Sequence, residues 1–93
     1  MATSKVKRTP DVISVDASTT KSVAAGMAEF FIYPTIPSGY KFLALGGVSI
    51  NYAECSLYQW YWDDANSRVI VRLRNNYAGT LAVDVSATTI FYK

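Results

Sequence analysis

Strict alternation of apolar and polar residues near the C-terminal end constrains this chain more than any other feature. Val69, Val71 and Leu73 alternate with Ile70, Arg72 and Arg74. After Asn75-Asn76-Tyr77-Ala78-Gly79, the residues Leu81, Val83, Val85, Ala87, Thr89 and Phe91 alternate with Ala82, Asp84, Ser86, Thr88, Ile90 and Tyr92. Successive side chains of a strand point to opposite faces, so each run has one dry face and one wetter face. A helix cannot carry this period. The two runs read as a hairpin, with Val71, Leu73, Val83, Val85 and Phe91 in the core and Arg72 and Asp84 together on the other face.

The rest of the chain follows the same logic. Val12 to Val15 and Glu29 to Tyr33 read as strands, with a turn expected at Ala17-Ser18-Thr19-Thr20 and a short segment from Lys21 to Ala25. Pro34 to Gly39 breaks the ladder, because proline has no N–H to give. Tyr40 to Tyr52 is a long strand-like run, and its Gly46-Gly47 pair predicts a bulge or bend. Ser56 to Trp62 is another strand, and Asp63-Asp64-Ala65-Asn66 is a turn by composition. About seven short strands with frequent turns predict an all-β antiparallel sandwich, jelly-roll-like, as one domain over residues 11–93. Residues 1–10 are polar and basic and read as an N-terminal tail or linker.

Composition excludes several functions. There is no histidine among the 93 residues, and a single cysteine, Cys55. The usual general base is missing, and so is the N/S ligand set of a zinc site. Cys55 has no thiol partner for a disulfide and no imidazole to activate it, and it reads as a small buried hydrophobe. Seven carboxylates are present, and only Asp63 and Asp64 are adjacent. A glycosidase needs two facing each other across a cleft. A calcium site at Asp63, Asp64 and Asn66 is weighed against a solvated turn, and the turn is preferred. The chain is therefore read as non-enzymatic, with no metal and no cofactor.

Lys5, Lys7 and Arg8 carry much of the net charge of +2, and the remaining six basic and seven acidic residues form no basic face. Nucleic-acid binding is disfavoured. No apolar run is long enough to span a bilayer, and no secretory leader pattern is present, so folding in a cytoplasm without membrane insertion is expected. Charged residues make up only 17% of the chain and aromatics 14%. A surface so poor in charge fits a protein that hides part of itself against a partner, and a homo-oligomer is expected. Ile90 and Tyr92, on the face away from Val85 and Phe91, are candidate interface residues.

One segment stands apart. In Tyr58-Gln59-Trp60-Tyr61-Trp62-Asp63-Asp64, regular alternation places Tyr58, Trp60 and Trp62 on one face. Three readings stand side by side: core packing, a subunit interface, and a sugar platform with Asp63, Asp64 and Asn66 as hydrogen-bonding neighbours.

The chain from about Val12 to Lys93 resembles a family of small structural modules found in phages and prophages of Gram-positive bacteria. There they occur as short proteins or as C-terminal domains of tail-fibre and minor structural proteins. The resemblance lies in Ile36-Pro37-Ser38-Gly39-Tyr40-Lys41, the hydrophobic run to Ser49, the stretch from Val69 to Asn76, and the closing segment from Val83 to Lys93. The layout also looks like the H-type lectin sandwich. The resemblance implies a trimeric or otherwise oligomeric module displayed on a virion among other virion proteins, synthesised in the bacterial host. Its expected role is in the tail fibre or in adhesion to host-surface glycan. The alternative is a purely structural head-decoration or fibre-assembly protein without a glycan site.

Overall fold

The computed structural model describes residues 11–93; the expected N-terminal tail, residues 1–10, lies outside them. The fold is an all-β sandwich. Six strands are present among the described residues: β1 (Val12–Val23), β2 (Gly26–Ile32), β3 (Lys41–Ile50), β4 (Cys55–Asp63), β5 (Arg68–Asn75) and β6 (Leu81–Tyr92). They form two antiparallel three-stranded sheets, ordered β1-β6-β3 and β2-β5-β4. The chain changes sheet at every connection except the β4–β5 hairpin.

The expected phase of the last two strands is the observed one. Val69, Val71 and Leu73 of β5 and Val83, Val85, Ala87 and Phe91 of β6 are all buried. These are the central strands of their sheets, so each is flanked by neighbours on both sides, and their inner faces are the heart of the core. Phe30 and Ile32 of β2, Val23 at the end of β1 and Cys55 complete it. Beyond β2 the alternation continues without a ladder, as Ile32 and Pro34 are buried and Ile36 is half-buried. Pro34 covers the core where it has no ladder bond to miss.

Three expectations are corrected. First, β5 and β6 are not a hairpin. Each pairs within its own sheet, and residues 76–80 carry the chain from one sheet to the other. Alternation fixes which face is dry, and two facing sheets satisfy that as well as one hairpin does. Second, Arg72 and Asp84 therefore do not meet. Arg72 donates to Glu29 of β2 at 2.7 Å and to Gln59 of β4 at 2.7 Å. Asp84 instead accepts from the Thr20 hydroxyl at 3.2 Å. Third, Ala17 to Thr20 is not a turn but the middle of β1, paired with Val85 to Ala87 and Asp84 of β6. Ser18 and Thr20 lie on the exposed outer face and Thr19 opposite buried Val85, and small hydroxyl side chains fit such an extended pair as readily as a turn, so the unbroken ladder with β6 decides between them.

The bulge expected at Gly46-Gly47 is present. The β3–β6 register slips between Leu45 and Gly47, and again between Phe42 and Ala44. A Cβ on Gly46 would lie 3.1 Å from Thr88 Cγ2 and 3.3 Å from the Thr88 carbonyl, so a side chain here would require Thr88 to give way by a few tenths of an ångström where β3 approaches β6. At the β2–β3 connection, the Tyr40 N–H donates to the Pro37 carbonyl at 3.1 Å, and Gly39 takes φ +86°. That is the positive φ a type II turn demands at its third residue.

The sheet crossing after β5 is pinned by Asn75, which is buried. Its Nδ2 donates to the Val23 and Gly79 carbonyls, each at 3.0 Å, and its Oδ1 accepts from the Tyr77 N–H at 2.9 Å. One side chain thus ties the end of β1 to the crossing loop.

Candidate functional site

The two tryptophans sit on β4, an edge strand. A register shift falls between Leu57 and Gln59, so Tyr58 is the extra residue of a bulge. Before the bulge, Leu57 lies opposite Leu73, on the inner face. After it, Gln59 lies opposite Arg72, and Trp60 and Trp62 lie opposite Val71 and Val69, which again face inward. The expected single face of Tyr58, Trp60 and Trp62 is thus broken: Trp60 and Trp62 share the inner face, and Tyr58 sits at the irregularity. Period-two counting cannot see a bulge that carries no glycine.

Trp62 is held tightly. Its ring stacks on Phe42 of β3 at 4.7 Å with an interplanar angle of 2°, and meets the Phe91 ring edge-on at 5.8 Å. Its Nε1–H donates to Asp64 Oδ1 at 3.0 Å. Trp60, one pleat away and also on the inner face, remains 46% exposed. The reason is its position. β3 and β4 are the last strands of their sheets on the same side, so the inner faces there meet only half a core. Leu45, Val48 and Ile50 of β3, which pair with Thr89, Ala87 and Val85, are likewise only half-buried, as is Leu57. An apolar seam runs along this side of the sandwich.

The acidic turn does not converge on that seam as one group. Asp63 accepts from Asn66 Nδ2 at 2.9 Å and from Arg68 Nε at 2.8 Å. Those hydrogen bonds, Asn66 first and Arg68 second, hold its carboxyl below the ordinary aspartate range. Asp64 turns instead to Trp62. The two adjacent carboxylates therefore serve different partners. Trp62 and Asp64 also border an open cleft of about 510 Å³ at one end of the sandwich, with Tyr40, Lys41, Phe42 and Tyr92. The turn closes through Ser67 at φ 51°, a left-handed residue that lets four residues span β4 and β5.

A second surface escaped the sequence reading. On the outer face of the β2-β5-β4 sheet, Phe31 and Tyr61 flank Ile70 in the ladder, and Ile70 is only 6% exposed. The Arg68 guanidinium lies 4.0 Å from the Phe31 ring centre and donates to the Tyr33 hydroxyl at 3.1 Å. Arg72 bridges Glu29 and Gln59 beside Tyr61. The signal was available in the alternation of Phe31 and Tyr33 with Phe30 and Ile32, but pairing them with β5 and β4 needs the topology.

Ile90 and Tyr92 lie on the outer face of the other sheet, away from Val85 and Phe91, Ile90 half-buried and Tyr92 exposed. Cys55 is buried, and burial first and the Glu54 charge second push its thiol pKa up. Among the described residues no group of three or more Asp, Glu or Cys is gathered as for a metal ion, and no helix is long and apolar enough to cross a membrane. The chain matches no family model, no curated protein and no solved structure.

Proposed function

We propose that this chain is a structural module of a phage virion, a fibre-assembly or decoration component that works by associating with copies of itself and with other virion proteins. The observation that carries the choice of assembly over adhesion is the placement of the tryptophans. Trp62 is clamped between Phe42, Phe91 and Asp64, and Trp60 lies along the apolar seam between the two sheets. One face of Trp62 is covered by Phe42, and Trp60, though 46% exposed, lies opposite Val71 on the apolar inner face and not beside the acidic turn, so the two do not form one aromatic platform ringed by the hydroxyl-binding groups a sugar needs. The virion half of the reading rests on the sequence resemblance from Val12 to Lys93.

Mass spectrometry of purified particles from the phage or prophage that encodes the chain tests this. The chain is expected in the particle at a fixed ratio to the major virion proteins. Its absence from particles, with the protein present in the lysate, overturns the reading.

One observation favours host-glycan adhesion as a second reading. Tyr33, 61% exposed, stands beside Arg68, with Glu29, Gln59 and Arg72 farther along the same sheet face, and such a face offers stacking surface and planar polar groups together. Binding to cell-wall polysaccharide that is lost in Tyr33→Ala at unchanged melting temperature is the result that selects it.

A further inference from the structure

We infer that the β3–β4 seam is the surface through which a second copy of this chain docks. The inference deepens the assembly reading above and rests on its self-association half, not on the virion.

The two sides of the sandwich differ in charge. On the β1–β2 side the strands carry Asp16, Lys21 and Glu29 within their length. Inward and edge charges of this kind keep an open sheet edge from pairing with other chains. On the β3–β4 side, Lys41 is the first residue of β3 and Asp63 the last of β4. Between them the only Asp, Glu, Lys or Arg is Glu54, in the connection of residues 51–54. Ten residues of β3 and nine of β4 thus run along an edge with charge only at the ends.

What fills that edge is apolar and uncovered. Leu43 is 52% exposed and Tyr58 58%, both at bulges, Trp60 is 46% exposed, and Leu45, Val48, Ile50 and Leu57 of the same two edge strands are half-buried. With aromatic side chains contributing up to about 150–250 Å² each, the exposed part is on the order of 500 Å². A standard interface buries roughly 800 Å² per partner, and homodimer interfaces are about 65% apolar, which calls for about the same 500 Å² of apolar centre. Ser49, Ser56 and Gln59, all exposed on the same strands, provide a polar rim.

The occupant follows from chemistry. A seam without charge meets its own copy with no like-charge repulsion, and it offers another protein little by which to be selected. A sugar would leave its hydroxyls against Leu, Val and Ile side chains. The chain's first ten residues bring Lys5, Lys7 and Arg8 with only Met1, Ala2 and Val6 as apolar side chains before Pro10, so they would bury charge without supplying apolar area. The bulges in β3 and β4 interrupt a regular edge ladder, so the contact is made by side chains, with Trp60 as the central anchor.

The test is light scattering on size-exclusion fractions over a range of concentrations, with wild type, Trp60→Glu, Leu43→Ser, and Tyr92→Glu, a residue on the outer face of the β1-β6-β3 sheet near its end. The expected result is an oligomeric wild type, association weakened about tenfold or more in Trp60→Glu and in Leu43→Ser, and Tyr92→Glu unchanged. Circular dichroism of each variant reports the fold. Leu43→Ser, at an exposed bulge, supplies the reading if Trp60→Glu unfolds. A wild type that stays monomeric at high concentration overturns both this inference and the self-association reading. An oligomer that survives Leu43→Ser and Trp60→Glu but falls apart in Tyr92→Glu overturns the seam alone.

Discussion

Replacing Asn75 by leucine removes the pin of the sheet crossing while keeping similar volume. The side chain is buried and makes three hydrogen bonds: two donated to the Val23 and Gly79 carbonyls and one accepted from Tyr77 N–H. Each is worth roughly 1 kcal/mol net, and a buried backbone group left without a partner costs about 1–3 kcal/mol. The Val23 bond is the buried one, so its carbonyl bears that penalty. The apolar gain of leucine offsets part of this, leaving an expected loss of about 3 kcal/mol. For a domain of this size 1 kcal/mol moves the melting temperature by roughly 4–8 °C, so a fall on the order of 15 °C is expected. Urea unfolding followed by tryptophan fluorescence gives the free energy directly. A loss under about 1 kcal/mol would refute the reasoning, because it would mean that backbone bonds such as Asn76 N–H to the Glu54 carbonyl hold the crossing unaided.

Thr89 gives a change of opposite sign. It is 1% exposed, and its hydroxyl has no hydrogen-bond partner among the described residues, so Thr89→Val is expected to raise stability by about 1–2 kcal/mol in the same unfolding measurement. Val85→Ala and Leu73→Ala each empty part of the central core, and each is expected to cost roughly 2–5 kcal/mol in denaturant titrations. Asp63 supplies a pH dependence. Its folded pKa lies below the unfolded value, so its contribution is present above the ordinary aspartate range and is lost as pH falls through the folded pKa. Melting temperatures of wild type and Asp63→Asn should therefore differ most near neutrality and converge in acid; a gap that is constant with pH would contradict it.

Much of the fold is legible in the chain because strand phase is a local property. Val71, Leu73, Val83, Val85 and Phe91 are buried as their alternation requires, and the Gly46-Gly47 pair marks a real bulge. Partnership is not local. Nothing in the runs 69–74 and 81–92 distinguishes a hairpin from two strands in facing sheets, and only the pairing of β5 with β2 and β4 sends Arg72 to Glu29 instead of Asp84. The candidate site suffered from the same limit in a sharper form. Counting by two placed Tyr58 with Trp60 and Trp62, but the bulge after Leu57 shifts the count by one. The half-exposure of Trp60 is a consequence of edge position, which no window of sequence contains. Two of the three Asn75 bonds, to Gly79 and Tyr77, are local to the segment after β5, whereas the buried one reaches Val23, fifty-two residues away, and no window of sequence contains it.

The claim that the β3–β4 seam is covered by a second copy is tested most directly by the fluorescence of Trp60 itself. Trp62→Phe keeps an aromatic ring against Phe42 and leaves Trp60 as the single indole of the chain. As concentration rises through the range of association, Trp60 emission is expected to shift to shorter wavelength and its quenching by acrylamide to fall, since an exposed indole becomes buried. Emission and quenching that stay constant while light scattering reports an oligomer would show that Trp60 remains in water in the assembly, and would contradict the account.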